Sequence, residues 1–252
     1  TFKHHLAPNI SAPGVNILAP WADEHPLQPG AALSQDWMLT SGTSMASPHV
    51  AGAMALIKQA RPHWSAAEIQ SALQMTAKQT VVRDVNEQYL PDGHPATKHR
   101  AGAGRIDVHA AVNAGLVMDE TVENFQLANP EKGGDVRQLN LPQLVNSECR
   151  GGVCTWMRTV KATRDGSWSL SEGPWVYDRW TNSTYGEFDM NNAKLEFYPE
   201  SFSLKAGETQ TIIVKANVAD IQYKHDSKLL GSGGYQGVEL WSDVIFTPSQ
   251  AD

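Results

Sequence analysis

From Met45 to Ala60 the chain carries Ala, Gly, Val, Met and Leu on every face of a helical projection. A helix that is apolar all round is a buried helix, so this stretch is expected to run through a core. Its small residues, Ala46, Ala51, Gly52, Ala53 and Ala55, suit close backbone packing. Pro48 falls in the first turn, where a missing N–H costs nothing, and Arg61-Pro62 ends the helix. The next stretch, "HWSAAEIQSALQMTA", announces a second helix. Ser65 is the N-cap and Glu68, three residues on, completes a capping box, while Trp64 and Ile69 fit a hydrophobic staple. "AGAGRIDVHAAVNAG" predicts a short third helix with Asp107 as N-cap and Gly115 as C-cap. Upstream, Val15 to Ala19 reads as a short strand between turns.

After about residue 120 the helical period disappears. Alternating runs take over: "TWMRTVKA", "KLEFYPESFSLKAGETQTIIVKANV" and "GVELWSDVIF". Bounded by Gly, Pro, Asn and Asp, they read as antiparallel strands. About seven such runs predict a β-sandwich. The expected organisation is an α/β part over 1–118, a linker over 119–138 and an all-β sandwich over 139–252.

Composition changes this picture little. Of 252 residues 41% are hydrophobic and 19% charged, ordinary for a globular protein, and the net charge of −7 argues against a nucleic-acid partner. No run of about 18 apolar residues predicts a membrane span. The opening, "TFKHHLAPNISAPGVNILAPW", reads like the middle of a domain rather than its start. The two cysteines, Cys149 and Cys154, flank Gly151-Gly152, a turn-prone spacing. They are expected to form a hairpin-closing disulfide, the alternative being two free thiols in a cytosolic protein. No further Cys or nearby His completes four ligands, so no metal site is expected.

Candidate chemistry lies at Gly42-Thr43-Ser44, where a serine stands at a strand-to-helix junction. A helix N-terminus leaves N–H groups unpaired and carries partial positive charge. The N–H of Ser44 can face the oxyanion of a tetrahedral intermediate. Gly42 is expected to permit the sharp turn and Ala46 to let the helix sit close. Alone, the pentapeptide reads more simply as a Thr-Ser helix cap.

The wider stretch, "SGTSMASPHVAGAMALI", resembles the active-site serine segment of the subtilisin-like serine proteases, the subtilases. "APNISAPGVNILAPW" resembles the strand preceding that segment, with Asn9 where the family usually has Asp, and "AGAGRIDVHAAVNAGLV" resembles the closing segment of the catalytic domain. The tail is similar to the fibronectin type III-like domain of large subtilases. The resemblance implies a partial subtilisin-like catalytic domain followed by that sandwich. It implies Ser44 as the nucleophile of a secreted endopeptidase acting on proteins or peptides, with Gly42, Thr43 and Ser44 forming the serine loop. It implies chemistry without a cofactor and leaves room for structural calcium in a parent protein.

A serine hydroxyl needs a base. The family's triad runs Asp, His, Ser, with the His in a His-Gly-Thr motif; no histidine here is followed by Gly. His4, His5 and His25 alone precede Ser44, too close for the family's first half. The resemblance therefore places the base, the acid and the oxyanion-hole Asn in an N-terminal half of the catalytic domain outside this sequence. That half is the expected partner, and this chain alone is expected to be inert. His49, about 1.4 turns beyond Ser44, is expected to be a hydrogen-bonded core histidine, and Asp36 a solvated loop carboxylate. A self-sufficient α/β-hydrolase would instead draw a base from His94, His99 or His109; it leaves the Ala-Pro-Gly segment unexplained. A further alternative makes the sandwich a non-catalytic binding or anchoring module, with Trp156, Trp168, Trp175, Trp180 or Trp241 stacking on sugars. Packing in the core is the expected role of these tryptophans. Asn9-Ile10-Ser11 and Asn182-Ser183-Thr184 are glycosylation sequons in a eukaryotic secretory setting.

Overall fold

A computed structural model of the chain describes residues 4, 6–21, 37–79, 96, 98–149, 152–178, 187–219, 222–224 and 239–249. The expectations for His5, His25, Asp36, His94, Trp180 and Asn182-Ser183-Thr184 lie outside these residues. The first half comprises β1 (Ile17–Pro20), β2 (Trp37–Thr40), α1 (Thr43–Ala60), α2 (Ala66–Met75), α3 (Lys98–Ala101), α4 (Val108–Val112), β3 (Leu116–Val117) and α5 (Val122–Leu127). Among the described residues of the second half the regular elements are strands and 3₁₀ turns: β4 (Val153–Ala162), β5 (Gly166–Glu172), β6 (Val176–Asp178), β7 (Glu187–Asp189), β8 (Lys194–Tyr198), β9 (Ser201–Leu204), β10 (Thr209–Asn217), β11 (Gln222–Lys224), β12 (Glu239–Trp241) and β13 (Val244–Pro248).

The local signals are realised where they rest on a specific hydrogen bond. The Ser65 Oγ accepts from the Glu68 N–H and the Glu68 carboxylate accepts from the Ser65 N–H, so the capping box is complete. Asp107 caps α4 by accepting from the Ala110 N–H. Gly115 is not the C-cap; Asn113 is. A Cβ on Gly115 would stand 3.3 Å from the Trp168 ring, so the glycine answers a close approach and not a left-handed turn. The stretch 119–138 is a structured connection of α5 and two 3₁₀ turns, capped by Thr121, Asn129 and Asp135.

The expectation of a fully buried first helix is not met. In α1 only Ala53 and Ile57 are buried, and Leu56 is 57% exposed. A helix apolar on every face needs partners all round. Among the described residues α2 and α4 cover one face, with Ala53 and Ile57 packed against Ile69, Ala72, Leu73, Ala111 and Ala114.

Two larger antiparallel sheets dominate the second half, ordered β3-β4-β10-β8 and β13-β5-β9, with two-stranded pairs β11-β7 and β12-β6 beside them. One core joins the larger sheets: Val160, Ala162, Ile212 and Val214 from the first meet Trp168, Leu170 and Phe202 from the second. Strand alternation sets who points inward. Ile212 is buried, whereas its neighbour Ile213 turns outward.

β3 belongs to both halves. It pairs with β4 through Leu116 opposite Ala162 and Val117 opposite Lys161. Leu116 and Met118 enter the core between the sheets, while Val117, on the opposite face, enters the core under α1 and α2. Polar links reinforce the junction. The Lys161 ammonium donates to the buried Glu68 carboxylate at 2.7 Å, the Met118 N–H donates to the Ser71 Oγ at 2.8 Å, and Asp243 accepts from Lys98 at 2.7 Å.

The free edge of β4 is covered by the irregular segment that precedes it. The Asn140 amide imitates a neighbouring strand, accepting from the Thr159 N–H and donating to the Thr159 carbonyl. Arg158, only 3% exposed, donates to the carbonyls of Leu141, Arg137, Gln143 and Met157. Burial pushes its guanidinium down to about 10. Cys149 and Cys154 are disulfide-bonded with Cα atoms 5.6 Å apart. The bridge closes a turn leading into β4, not a hairpin, because among the described residues no strand lies on the Cys149 side.

Candidate active site

Ser44 is placed by a hairpin and a helix start. β1 and β2 pair from Ile17 opposite Thr40 to Pro20 opposite Trp37. The chain then leaves β2 through Ser41-Gly42 and enters α1 at Thr43. Met45 and Ala46 donate their N–H groups to the Gly42 carbonyl. The N–H groups of Thr43 and Ser44 precede the first helical bond and have no acceptor in the helix. No acidic residue stands in the first turn, so the partial positive charge of the helix end is not neutralised locally. Ser44 is exposed. A hydroxyl beside unpaired N–H groups at a positive helix end suits attack on a carbonyl whose oxygen becomes negative.

The loop is held from the β1 side. The Gly42 N–H donates to the Gly14 carbonyl at 2.8 Å, and the Asn16 N–H donates to the Ser41 Oγ at 2.8 Å. Gly42 itself has φ 163°, an extended conformation open to any residue, and a Cβ on it would meet nothing closer than 3.7 Å. The sharp-turn role expected of Gly42 is therefore not what the backbone requires. The sterically demanding glycine is Gly14, where a Cβ would stand 2.8 Å from the Gly42 carbonyl oxygen and 3.0 Å from the Ala46 Cβ. Ala46 is small for the reason expected: it faces this approach. Gly14 and Ser41 were missed as site residues; their signal was the Ala-Pro-Gly turn and a polar residue at the strand-to-helix junction.

Among the described residues the structure brings no base to Ser44. Among the described residues no side chain hydrogen-bonds its hydroxyl. His49 donates its Nδ1–H to the Met45 carbonyl at 2.8 Å, one turn back along α1. It is hydrogen-bonded as expected but exposed, not in a core, because among the described residues no element covers the face of α1 that carries it. The His4 Nδ1 accepts from the Ser147 N–H at 3.0 Å. His109 lies on α4, which packs at the Ala53–Ile57 end of α1, about 14 Å along the helix from Ser44. A cavity of about 10 Å³ lined by His4, Arg137, Gln143 and Arg158 lies beside β4 and does not touch Ser44; it has room for about one water. No group of three or more His, Cys, Asp or Glu side chains comes together among the described residues.

Three tryptophans of the second half, Trp156, Trp168 and Trp175, turn inward. Trp168 is 4% exposed in the core between the sheets, and Trp156 and Trp175 pack against that core. The Trp156 Nε1–H donates to the Val145 carbonyl, and that of Trp175 to Glu172. Asn9 of the first sequon donates to Gln143 across the junction. Among the described residues no helix is long and apolar enough to cross a membrane.

A family model described as the subtilase family matches residues 1–104. Subtilisin-like protease SBT1.7 of Arabidopsis thaliana is 30% identical over 263 aligned positions, covering 94% of this chain and 32% of the relative. Subtilisin-like protease SBT1.6 of the same plant is 41% identical over 124 positions, 48% of this chain and 16% of the relative. Subtilisin-like protease SBT3 of Solanum lycopersicum is 39% identical over 124 positions, 47% of this chain and 16% of the relative. The chain thus spans about a third of the length of the first and about a sixth of the other two. The similarity to the first runs on through the strands of the second half.

Proposed function

Because residues 1–104 belong to the subtilase family of serine proteases, we propose that this chain is the serine-bearing part of a secreted endopeptidase whose nucleophile is Ser44. The observation that carries the reading is the exposed Ser44 hydroxyl at the start of α1, beside two N–H groups without helical acceptors and with no acidic residue in the turn. In the whole enzyme the Ser44 Oγ attacks the carbonyl carbon of the scissile peptide. Its proton passes to an imidazole, the Ser44 N–H donates to the carbonyl oxygen as that becomes an oxyanion, and the imidazolium protonates the leaving amine. Water then hydrolyses the acyl-enzyme. The chemistry needs no cofactor.

The imidazole and its orienting carboxylate come from catalytic-domain sequence other than these 252 residues, since no His-Gly-Thr segment occurs here. The uncovered apolar side chains of the first half support this: Leu18, Trp37, Leu39 and Leu56 are each more than half exposed. They form the face on which the remainder of the catalytic domain packs. The two larger sheets, built from strands after residue 150 with β3 added at one edge, form a fibronectin type III-like domain, and their inward-facing tryptophans support a structural role over a sugar-binding one. The Cys149–Cys154 bridge supports an oxidising, extracellular compartment.

Labelling with a fluorophosphonate probe tests the reading. The full-length protein is expected to be labelled at Ser44 and to cleave casein, and Ser44→Ala to lose both. The 252-residue chain alone is expected to do neither, since loss of triad members lowers serine-protease rates by on the order of 10⁴ to 10⁶. Stoichiometric labelling of Ser44 in this chain by itself would show that a base within it had been overlooked.

A further inference from the structure

Between β1 and α1 one backbone bond is missing and a side chain stands in its place. The β1–β2 ladder pairs Ile17 with Thr40, so the next rung falls between Asn16 and Ser41. There the Asn16 N–H donates not to a carbonyl but to the Ser41 Oγ, at 2.8 Å. Asn16 has φ 53°, a left-handed conformation that asparagine tolerates better than most residues. Backbone bonding resumes beyond this rung with the Gly42 N–H on the Gly14 carbonyl at 2.8 Å. The Ser41 hydroxyl therefore bridges the point where β2 ends and the chain swings into α1, three residues before Ser44. On the third side the bare Cα of Gly14 lies against Gly42 and Ala46, with no room for a Cβ.

We propose that Ser41 is a positioning residue for Ser44. Its hydroxyl, with the side-chain-free surface of Gly14, sets how far the start of α1 stands from the edge of the hairpin. It thereby sets where the Ser44 Oγ and N–H together stand relative to the scissile carbonyl and the imidazole. This rests on the serine-protease reading of Ser44. The geometry separates positioning from stability. Ser41 and Asn16 are both exposed, so water satisfies the Asn16 N–H when the hydroxyl is removed, and global stability changes little. The rotation of the serine loop is no longer fixed, and small displacements of a nucleophile cost rate steeply.

The test uses the full-length protease with Ser41→Ala, Ser41→Thr and Gly14→Ala. Steady-state kinetics on a peptide substrate are read together with the rate of fluorophosphonate labelling at Ser44 and the melting temperature. Ser41→Ala is expected to lower kcat and the labelling rate by about three- to tenfold, with KM within about twofold and the melting temperature essentially unchanged. Ser41→Thr keeps an Oγ acceptor at the same atom and is expected to restore both rates. Gly14→Ala is expected to lower kcat by about ten- to a hundredfold, because the new Cβ must push the Gly42 carbonyl away. The positioning role is overturned if wild type labels at Ser44 and Ser41→Ala matches it. It is equally overturned if Ser41→Thr is as slow as Ser41→Ala, or if the loss appears in KM or melting temperature and not in kcat. A wild-type enzyme unlabelled at Ser44 would overturn the protease reading, and the positioning role with it.

Discussion

Replacing Arg158 with Met removes a buried cation whose partners are all carbonyl oxygens. The guanidinium makes four hydrogen bonds: from Nε to Leu141 at 2.6 Å, from one terminal nitrogen to Arg137 at 3.1 Å and Met157 at 2.8 Å, and from the other to Gln143 at 3.0 Å. Leu141 and Gln143 belong to the irregular segment that covers the edge of β4, and Arg137 to the 3₁₀ turn just before it. Charge-assisted bonds contribute about 1.5–2 kcal/mol each, so the set contributes about 6–8 kcal/mol. Against this stands lost hydration. A guanidinium lowered from its ordinary value to about 10 has given up about 3 kcal/mol. Methionine keeps most of the stem volume and recovers that hydration cost, but it leaves the carbonyls to find water. Arg158→Met is therefore expected to destabilise by about 3–5 kcal/mol, with Arg158→Lys between it and wild type. A single ammonium cannot reach acceptors spread from residue 137 to 143. Urea denaturation followed by tryptophan fluorescence measures this, with Trp156, hydrogen-bonded to Val145 in the same segment, as a local reporter. A change under about 1 kcal/mol for Arg158→Met would refute the reasoning, because the hydrogen bonds would then only balance desolvation.

Glu68→Ala is expected to cost about 1–3 kcal/mol, since the carboxylate both completes the α2 cap and receives Lys161; a thermal shift no larger than that of Lys161→Met would show the cap to contribute nothing. Three carboxyls are held below their usual range: Asp107 by the Ala110 N–H and then Lys78, Asp135 by Arg137, and Glu196 by Lys215 and then Tyr198. Their stabilisation is complete above the unfolded values near about pH 4 and is lost as pH falls through the lower folded ones. Melting temperature should accordingly drop below about pH 4, and less steeply in Asp107→Asn; a flat profile from pH 5 to 2 would contradict the assignment. Reduction of Cys149–Cys154 should cost about 2 kcal/mol for so short a loop, and two titratable thiols in the unreduced, denatured protein would rule the bridge out.

Features carried by short-range chemistry were legible in the sequence alone. The Ser65–Glu68 box, the Asp107 cap, the end of α1 before Pro62 and the Cys149–Cys154 bridge each depend on groups a few residues apart, and local spacing determines them. The serine segment was legible through its resemblance to the subtilase serine segment over "SGTSMASPHVAGAMALI", since local spacing alone reads as a helix cap. Other features were decided by tertiary structure. Alternation does not say whether Ile212 or Ile213 turns inward; pairing of β10 between β4 and β8 decides that. The pattern of α1 called for burial on every face, but burial depends on what lies opposite, and among the described residues α2 and α4 cover one face. The sequence placed the division after residue 118, whereas Leu116, Val117 and Met118 serve two cores from one strand, because alternate side chains of a strand face opposite ways. Gly14 was part of a turn in the sequence, and only folding showed that the serine loop lies against its bare Cα. Contacts between residues that the chain separates by dozens of positions leave no local period to read, and both the junction and the setting of Ser44 are made of such contacts.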